Sequence, residues 1–184
     1  MNLIGNKGSL KPIEENDINH EFVDWLNDAE VMNFLGISKT LSHTLESTKK
    51  WVGKTNQDSD KRLWGIFGLE GDLIGHLRLD IEWTWGVCTI NIGIYNKKFW
   101  GMGIGTEVIN LATNFAFNHL NMQKVEAGVL EGNTGSLKAF QKAGFKIEGI
   151  REKRRYNNGK YVNDILLGRV KIACKKSNCD NTFK

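Results

Sequence analysis

The chain has 184 residues, 40% of them hydrophobic, which suits one sizeable core in a single domain. Its formal charge of +4, from 25 Lys and Arg against 21 Asp and Glu, is too modest and too dispersed to argue for nucleic acid. No apolar run is long enough to cross a bilayer, the first eleven residues lack the apolar core of a signal peptide, and Cys88, Cys174 and Cys179 form no metal-ligand pattern. A cytoplasmic protein without metal or structural disulfide is expected.

Residues 10–13 read as a short strand interrupted by the only proline, and 17–27 as a helix with Ile18, Phe22, Trp25 and Leu26 on one face. A second helix is expected over 44–52. Strand-like runs follow at 63–69 and 73–83 about the Glu70-Gly71-Asp72 turn, and again at 87–95. Next comes a glycine-rich turn, Trp100-Gly101-Met102-Gly103-Ile104-Gly105-Thr106. It opens onto a helix whose Val108, Leu111, Ala112, Phe115 and Ala116 recur at helical spacing. Val125, Ala127 and Val129 alternate as a strand. Asn133 then begins a short helix carrying Ser136, Leu137, Phe140 and Lys142 and closed by Gly144. Runs at 145–156 and 161–170 flank Asn157-Asn158-Gly159-Lys160, a hairpin signal. The result is seven strands and four helices in mixed order, one domain over 1–172, and a polar tail over 173–184.

A glycine-rich turn between a strand and a helix suits a phosphate-bearing ligand, because its closely spaced N–H groups and the positive helix terminus favour anions. Three glycines alone are weak support, since such turns also occur where nothing binds. The turn lacks the Gly-Lys-Ser/Thr ending of a nucleotide-hydrolysing loop and the G-x-G-x-x-G spacing of a dinucleotide fold, so both functions lose their support.

The succession of Ile92-Gly93-Ile94, the glycine turn, a helix, a strand, Asn133-x-x-Ser136 and Ala143-Gly144-Phe145 resembles the acetyl-CoA core of the GNAT N-acetyltransferases. Trp25-Leu26-Asn27-Asp28, Gly105-Thr106-Glu107, Glu148-Gly149, and Gly159-x-Tyr161 with Asp164 resemble the branch holding ribosomal-protein alanine, spermidine and amino-sugar acetyltransferases. The resemblance runs from about residue 10 to 170. It implies an α/β fold with a mixed, mostly antiparallel sheet, a small-molecule amine as partner, and a homodimer as the common assembly. It also implies that acetyl-CoA is held by Ile92, Ile94, Trp100, Gly101, Met102, Gly103, Ile104, Gly105, Thr106, Asn133, Ser136, Phe140 and Lys142.

The implied chemistry is direct attack of a primary amine on the thioester in a ternary complex, with a backbone amide of residues 92–95 serving the oxyanion. Three residues depart from the family pattern. Phe140 stands where many relatives carry a tyrosine that protonates the leaving sulfur; Ser136, Tyr95 and Tyr156 are the substitutes, with Ser136 favoured. Asn91 stands where relatives often carry a glutamate and cannot take a proton. That leaves Asp80 and Glu82, on one face by strand alternation, as candidate bases, with His76 farther back. Trp100 replaces a Gln or Arg at the head of the glycine motif and is suited to packing. Glu107 reads as an acidic residue of a first helical turn.

Two further features stay open. Trp83, Trp85, Phe99 and Trp100 either line an acceptor pocket or are plain core. The basic run Arg151, Lys153, Arg154 and Arg155 either faces water or meets an acidic group of a substrate or of the coenzyme. An amino sugar, nucleotide-linked or free, is the favoured acceptor, with a polyamine as another small amine. Acetylation of a protein N-terminus and a non-catalytic acyl-CoA-binding module are the alternatives.

Overall fold

The computed structural model describes residues 1–36, 42–157 and 159–172. Its centre is one eight-stranded sheet. The strands are β1 (Leu3–Ile4), β2 (Ser9–Lys11), β3 (Lys61–Phe67), β4 (Leu73–Glu82), β5 (Val87–Ile94), β6 (Lys124–Leu130), β7 (Lys146–Asn157) and β8 (Lys160–Val170). Their spatial order is β1-β2-β3-β4-β5-β6-β8-β7, and every pairing is antiparallel except β5 with β6. Five α-helices complete the fold: α1 (His20–Leu26), α2 (Ala29–Leu35), α3 (Leu45–Asn56), α4 (Ile104–Asn118) and α5 (Thr134–Lys142).

The expected class holds, and the counts are corrected from seven strands to eight and from four helices to five among the described residues. The extra strand, β1, is two residues long and too short to show alternation. The extra helix, α2, begins where α1 has barely ended: the Asp28 carboxylate caps it by accepting from the N–H groups of Glu30 and Val31 at 3.0 and 3.2 Å. Pro12 ends β2 at Lys11, two residues short of the expected 13, since proline offers no N–H to the ladder. The helix expected at 44–52 starts on its Thr44 cap and continues to Asn56. The tail over 173–184, with Cys174 and Cys179, lies outside the described residues, as does Asn158.

Strand alternation sorts side chains between two cores. On one face Trp64, Ile66, Leu77, Leu79, Ile90 and Val125 pack against Val108, Ala112 and Ala116 of α4 and Phe140 of α5. On the other, Leu63 and Tyr95 pack with Phe22, Val23 and Leu26 of α1, Val31 of α2 and Val52 of α3. His76, Arg78 and Asp80 also point to this second face, between the buried Leu77, Leu79 and Ile81 of the first. β7 is the edge strand at the far side from β1, and along it Gly149 and Asn157 alone are partly buried. Its register with β8 jumps between Arg151 and Arg155, where Lys153 takes a φ of +50° and donates its N–H to Asn163 Oδ1.

Candidate active site

The decisive feature is where the parallel pairing of β5 and β6 stops. Val87, Cys88 and Thr89 pair with Lys124, Val125 and Glu126, and no pair follows, although β5 runs on to Ile94 and β6 to Leu130. Both strands keep their outer partners, β4 and β8, over this stretch. The sheet therefore opens into a wedge whose walls are backbone edges, and buried backbone groups left without a ladder partner call for another one.

The glycine turn sits at the open end of the wedge. A short 3₁₀ turn over Lys97–Phe99 leads into it, Gly101 and Gly103 have φ of 76° and 84°, and Gly103 is the N-cap of α4. A methyl group built on Gly101 would touch nothing within 4 Å, so its glycine serves the left-handed conformation. The Trp100 indole N–H donates to the Ile94 carbonyl at 2.8 Å and its ring packs edge-on against Phe34 of α2. The side chain is thus committed to packing, as its type suggested. Gly105 and Thr106 lie in the first turn of α4, while Met102 is exposed at the tip of the turn.

Helix α5 forms the other lip. The Asn133 side chain caps it by accepting from the Ser136 N–H at 3.0 Å and reaches across to donate to the Phe34 carbonyl at 3.2 Å. Ser136 is half-buried in the first turn. Phe140 is 2% exposed and packs edge-on against Phe145, 5.1 Å between centroids, inside the core. Lys142 is exposed in the last turn. A methyl built on Gly105 would lie 3.7 Å from Ile94 Cδ1 and 3.9 Å from Ala139 Cβ, so α4 and α5 meet at the end of β5.

On the α1–α3 face, a polar ladder leads to the wedge. Asp80 is gripped by Arg78, with Nε to Oδ1 and Nη2 to Oδ2 both at 2.7 Å, and by Asn91 Nδ2 at 2.8 Å. Asp80 pairs across the ladder with Thr89, the residue at which β5 leaves β6. Arg78 lies 5.9 Å from the Trp51 ring centre, and Trp51 in turn tilts over His76. His76 Nδ1 is 2.6 Å from the Tyr95 hydroxyl, a hydrogen bond whose donor depends on the imidazole tautomer. Burial, and then the Arg78 charge, push the His76 pKa down to about 3, so the ring is neutral at pH 7; burial raises that of Tyr95.

The two expected bases are separated. Asp80 lies on β4 opposite Thr89, the last β5 residue paired to β6, whereas Glu82 is exposed opposite Val87, at the closed end of the strand. The aromatic cluster is likewise divided: Trp83 and Trp85 are 47% and 74% exposed at the β4–β5 turn, and the eight residues of β5, about 26 Å of extended strand, lie between them and the turn that holds Trp100. Tyr156 is 65% exposed on β7 and pairs edge-on with Tyr161. Arg78 was not among the expected site residues, although its place two residues before Asp80 puts it on the same face. Nor does a first-turn acidic residue describe what Glu107 does: the carboxylate accepts from the N–H groups of Asn6, Lys7 and Gly8 at 2.8, 2.6 and 2.9 Å, clasping the β1–β2 turn to α4.

A wedge between parallel strands that ends in a phosphate-suited glycine turn, with a polar face beside it, is the architecture of acyl-CoA-dependent acyl transfer. Residues 9–146 match the family model described as an acetyltransferase (GNAT) domain, and the chain belongs to that family, whose members take the acyl group from acetyl-CoA. A probable N-acetyltransferase, YjcK, of Bacillus subtilis (strain 168) is 34% identical over 130 residues, spanning 68% of this chain and 72% of the relative. The spermidine N(1)-acetyltransferase of Escherichia coli (strain K12) is 25% identical over 160 residues, 86% of this chain and 83% of the relative. Among solved structures, the spermidine N-acetyltransferase from Vibrio cholerae in complex with CoA and spermine superposes with a TM-score of 0.80. It is 20% identical and covers 90% of this chain and 96% of that one, a likeness of fold. Among the described residues no helix is long and apolar enough to cross a membrane.

Proposed function

We propose that the protein acetylates the primary amine of a small molecule that also carries negative charge, an amino sugar in nucleotide-linked form being the favoured class. The observation that carries this reading is the placement of Asp80 beside Thr89, where the sheet opens. A carboxylate there attracts an ammonium group, and its side chain keeps 35% exposure toward the α1–α3 face. Support for a negatively charged acceptor comes from β7: Asn157 donates to the carbonyl and the side chain of Asn33, tying the strand end that bears exposed Arg154 and Arg155 to α2. Such a rim disfavours a polycation.

Acetyl-CoA supplies the thioester and its thiolate leaving group. Freeing an alkylammonium of its proton at neutral pH costs on the order of 4 kcal/mol, and Asp80 takes that proton as the new N–C bond forms. A gap-facing amide of residues 92–95 meets the developing oxyanion. The Ser136 hydroxyl donates toward the departing sulfur, a modest demand because a thiol ionises near neutrality. Cys88 is fully buried, and burial pushes its thiol up to about 12, which favours direct transfer over a cysteine-linked intermediate.

Thiol release from acetyl-CoA, measured across nucleotide-linked and free amino sugars, polyamines, amino acids and N-terminal peptides, tests the acceptor. Turnover on the nucleotide-linked sugars is expected. Turnover confined to polyamines would follow the spermidine acetyltransferases to which the chain is similar and overturn the charged-acceptor reading; turnover confined to peptides would replace it with N-terminal acetylation. Asp80→Asn is expected to lower kcat by about 10²–10⁴-fold with coenzyme affinity unchanged. An unchanged kcat would remove Asp80 from the mechanism.

A further inference from the structure

The turn between β1 and β2 delivers a lysine to the coenzyme loop from the other end of the chain. Gly5 N–H donates to the Gly8 carbonyl at 3.1 Å, closing a tight turn over Asn6 and Lys7. The Glu107 carboxylate fixes that turn through three consecutive N–H groups, and the approach is close enough that a methyl built on Gly8 would meet Ile104 Cγ2 at 2.9 Å. Lys7 then extends across the head of α4: a methyl built on Gly103 would lie 3.0 Å from the Lys7 Nζ and 3.6 Å from its Cδ.

This is an unfavourable place for a cation. The N-terminus of a helix is its positive end, so an ammonium group parked on it is repelled unless an anion lies between or beside them. No hydrogen bond or ion pair of the Lys7 ammonium occurs among the described residues, and the one carboxylate of the first turn, Glu107, is spent on the backbone of Asn6 to Gly8. Trp100 cannot answer for the missing charge at the head of the loop, because its only polar hydrogen goes to Ile94.

We infer that Lys7 is a coenzyme-binding residue whose ammonium pairs with the diphosphate held by the glycine turn, and that Glu107 is the positioning residue that keeps it there. The loop's side-chain cation thus comes from a separate hairpin nearly a hundred residues away, in place of the first residue of the glycine motif. The inference rests on acetyl-CoA being the donor and is independent of which amine accepts.

Titration calorimetry with coenzyme alone tests it, using CoA and dephospho-CoA, which keeps the diphosphate and lacks the 3′-phosphate. Lys7→Met is exposed and leaves the fold intact. It is expected to weaken both ligands by the same factor, about three- to tenfold at low salt, with the difference shrinking as salt is raised and Lys7→Arg restoring most of it. Unchanged affinity would overturn the assignment, and a loss seen with CoA alone would move Lys7 to the 3′-phosphate. Glu107→Gln is expected to weaken CoA in the parent chain and to add nothing in the Lys7→Met background. An equal effect in both backgrounds would show that Glu107 acts on the loop without Lys7.

Discussion

At the scale of single residues, the side chains on the α1–α3 face of β4 show how one strand carries two kinds of polar group. Asp80 is held by Arg78 and Asn91, while His76, four residues back on the same face and half-buried, lies beneath Trp51 and against Tyr95. The unfolded histidine titrates near 6.5 and the folded one near 3. Its folded value is depressed, so the stability it contributes is fully present above pH 6.5 and is lost as pH falls through the window down to 3. The unfolded chain then binds a proton that the native chain refuses, and stability drops by at most about 1.4 kcal/mol per pH unit from this group. His76→Asn keeps an acceptor for the Tyr95 hydroxyl and removes the titration. Urea unfolding of the two proteins at pH 7, 6, 5 and 4.5 should show their stability difference shifting toward the variant by about half that amount between pH 7 and 6 and by nearly all of it per unit below pH 6. A difference that stays flat with pH would mean that His76 protonates freely in the native state.

At the scale of elements, α2 and α5 are held to each other by one asparagine, and the lip of the wedge depends on that link. Asn133 caps α5 at Ser136 and donates to Phe34, the residue whose ring Trp100 packs against. Asn133→Ala removes the cap and the cross-helix bond together. Loss of a cap costs about 1 kcal/mol and loss of a net hydrogen bond about the same, so a destabilisation of about 2 kcal/mol is expected, read as a lower unfolding midpoint. The KM for acetyl-CoA should rise with it, because Ser136 and Trp100 lose their common support; a lower midpoint with KM unchanged would confine Asn133 to stability. The Asn133-to-Ser136 spacing was legible in the sequence because a cap is local. So were the glycine turn, α4 and the strands from β3 to β8, whose periodicity spans five residues or more. Helix α2 was not, since seven residues give barely two turns and its cap, Asp28, abuts the end of α1. The division of the paired candidates was also hidden: alternation put Asp80 and Glu82 on one face, but only the point at which β5 leaves β6 shows that Asp80 lies opposite the last paired residue, Thr89, and Glu82 opposite the first, Val87. Lys7 and Glu107 had no local signal at all, being about a hundred residues apart.

At the scale of the whole molecule, the sheet is two sheets joined by a short seam. β1 to β5 form one ladder and β6, β8 and β7 the other, and three residue pairs, from Val87–Lys124 to Thr89–Glu126, join them in the ladder. Beneath the sheet α4 and α5 pack against residues of both halves, while the α1–α3 cluster above packs against the β1–β5 half. The backbone N–H groups of β5 between Ile90 and Ile94 alternate between β4 and the wedge, so about half of them have no strand partner. A ligand with amide groups of its own, as the pantetheine arm of acetyl-CoA has, is expected to complete that edge like an added strand. Saturating CoA should therefore slow hydrogen exchange at the wedge-facing amides of residues 90–94 and 127–130 and in the turn 101–106. Amides of β3 and those of β4 bonded to it should change only by the global stabilisation, about 2.7 kcal/mol at a hundredfold excess over Kd. Protection confined to the glycine turn would mean that the diphosphate is held while the arm lies outside the wedge. Uniform protection would mean that the two halves already open and close as one unit, leaving the seam no independent role in admitting the coenzyme.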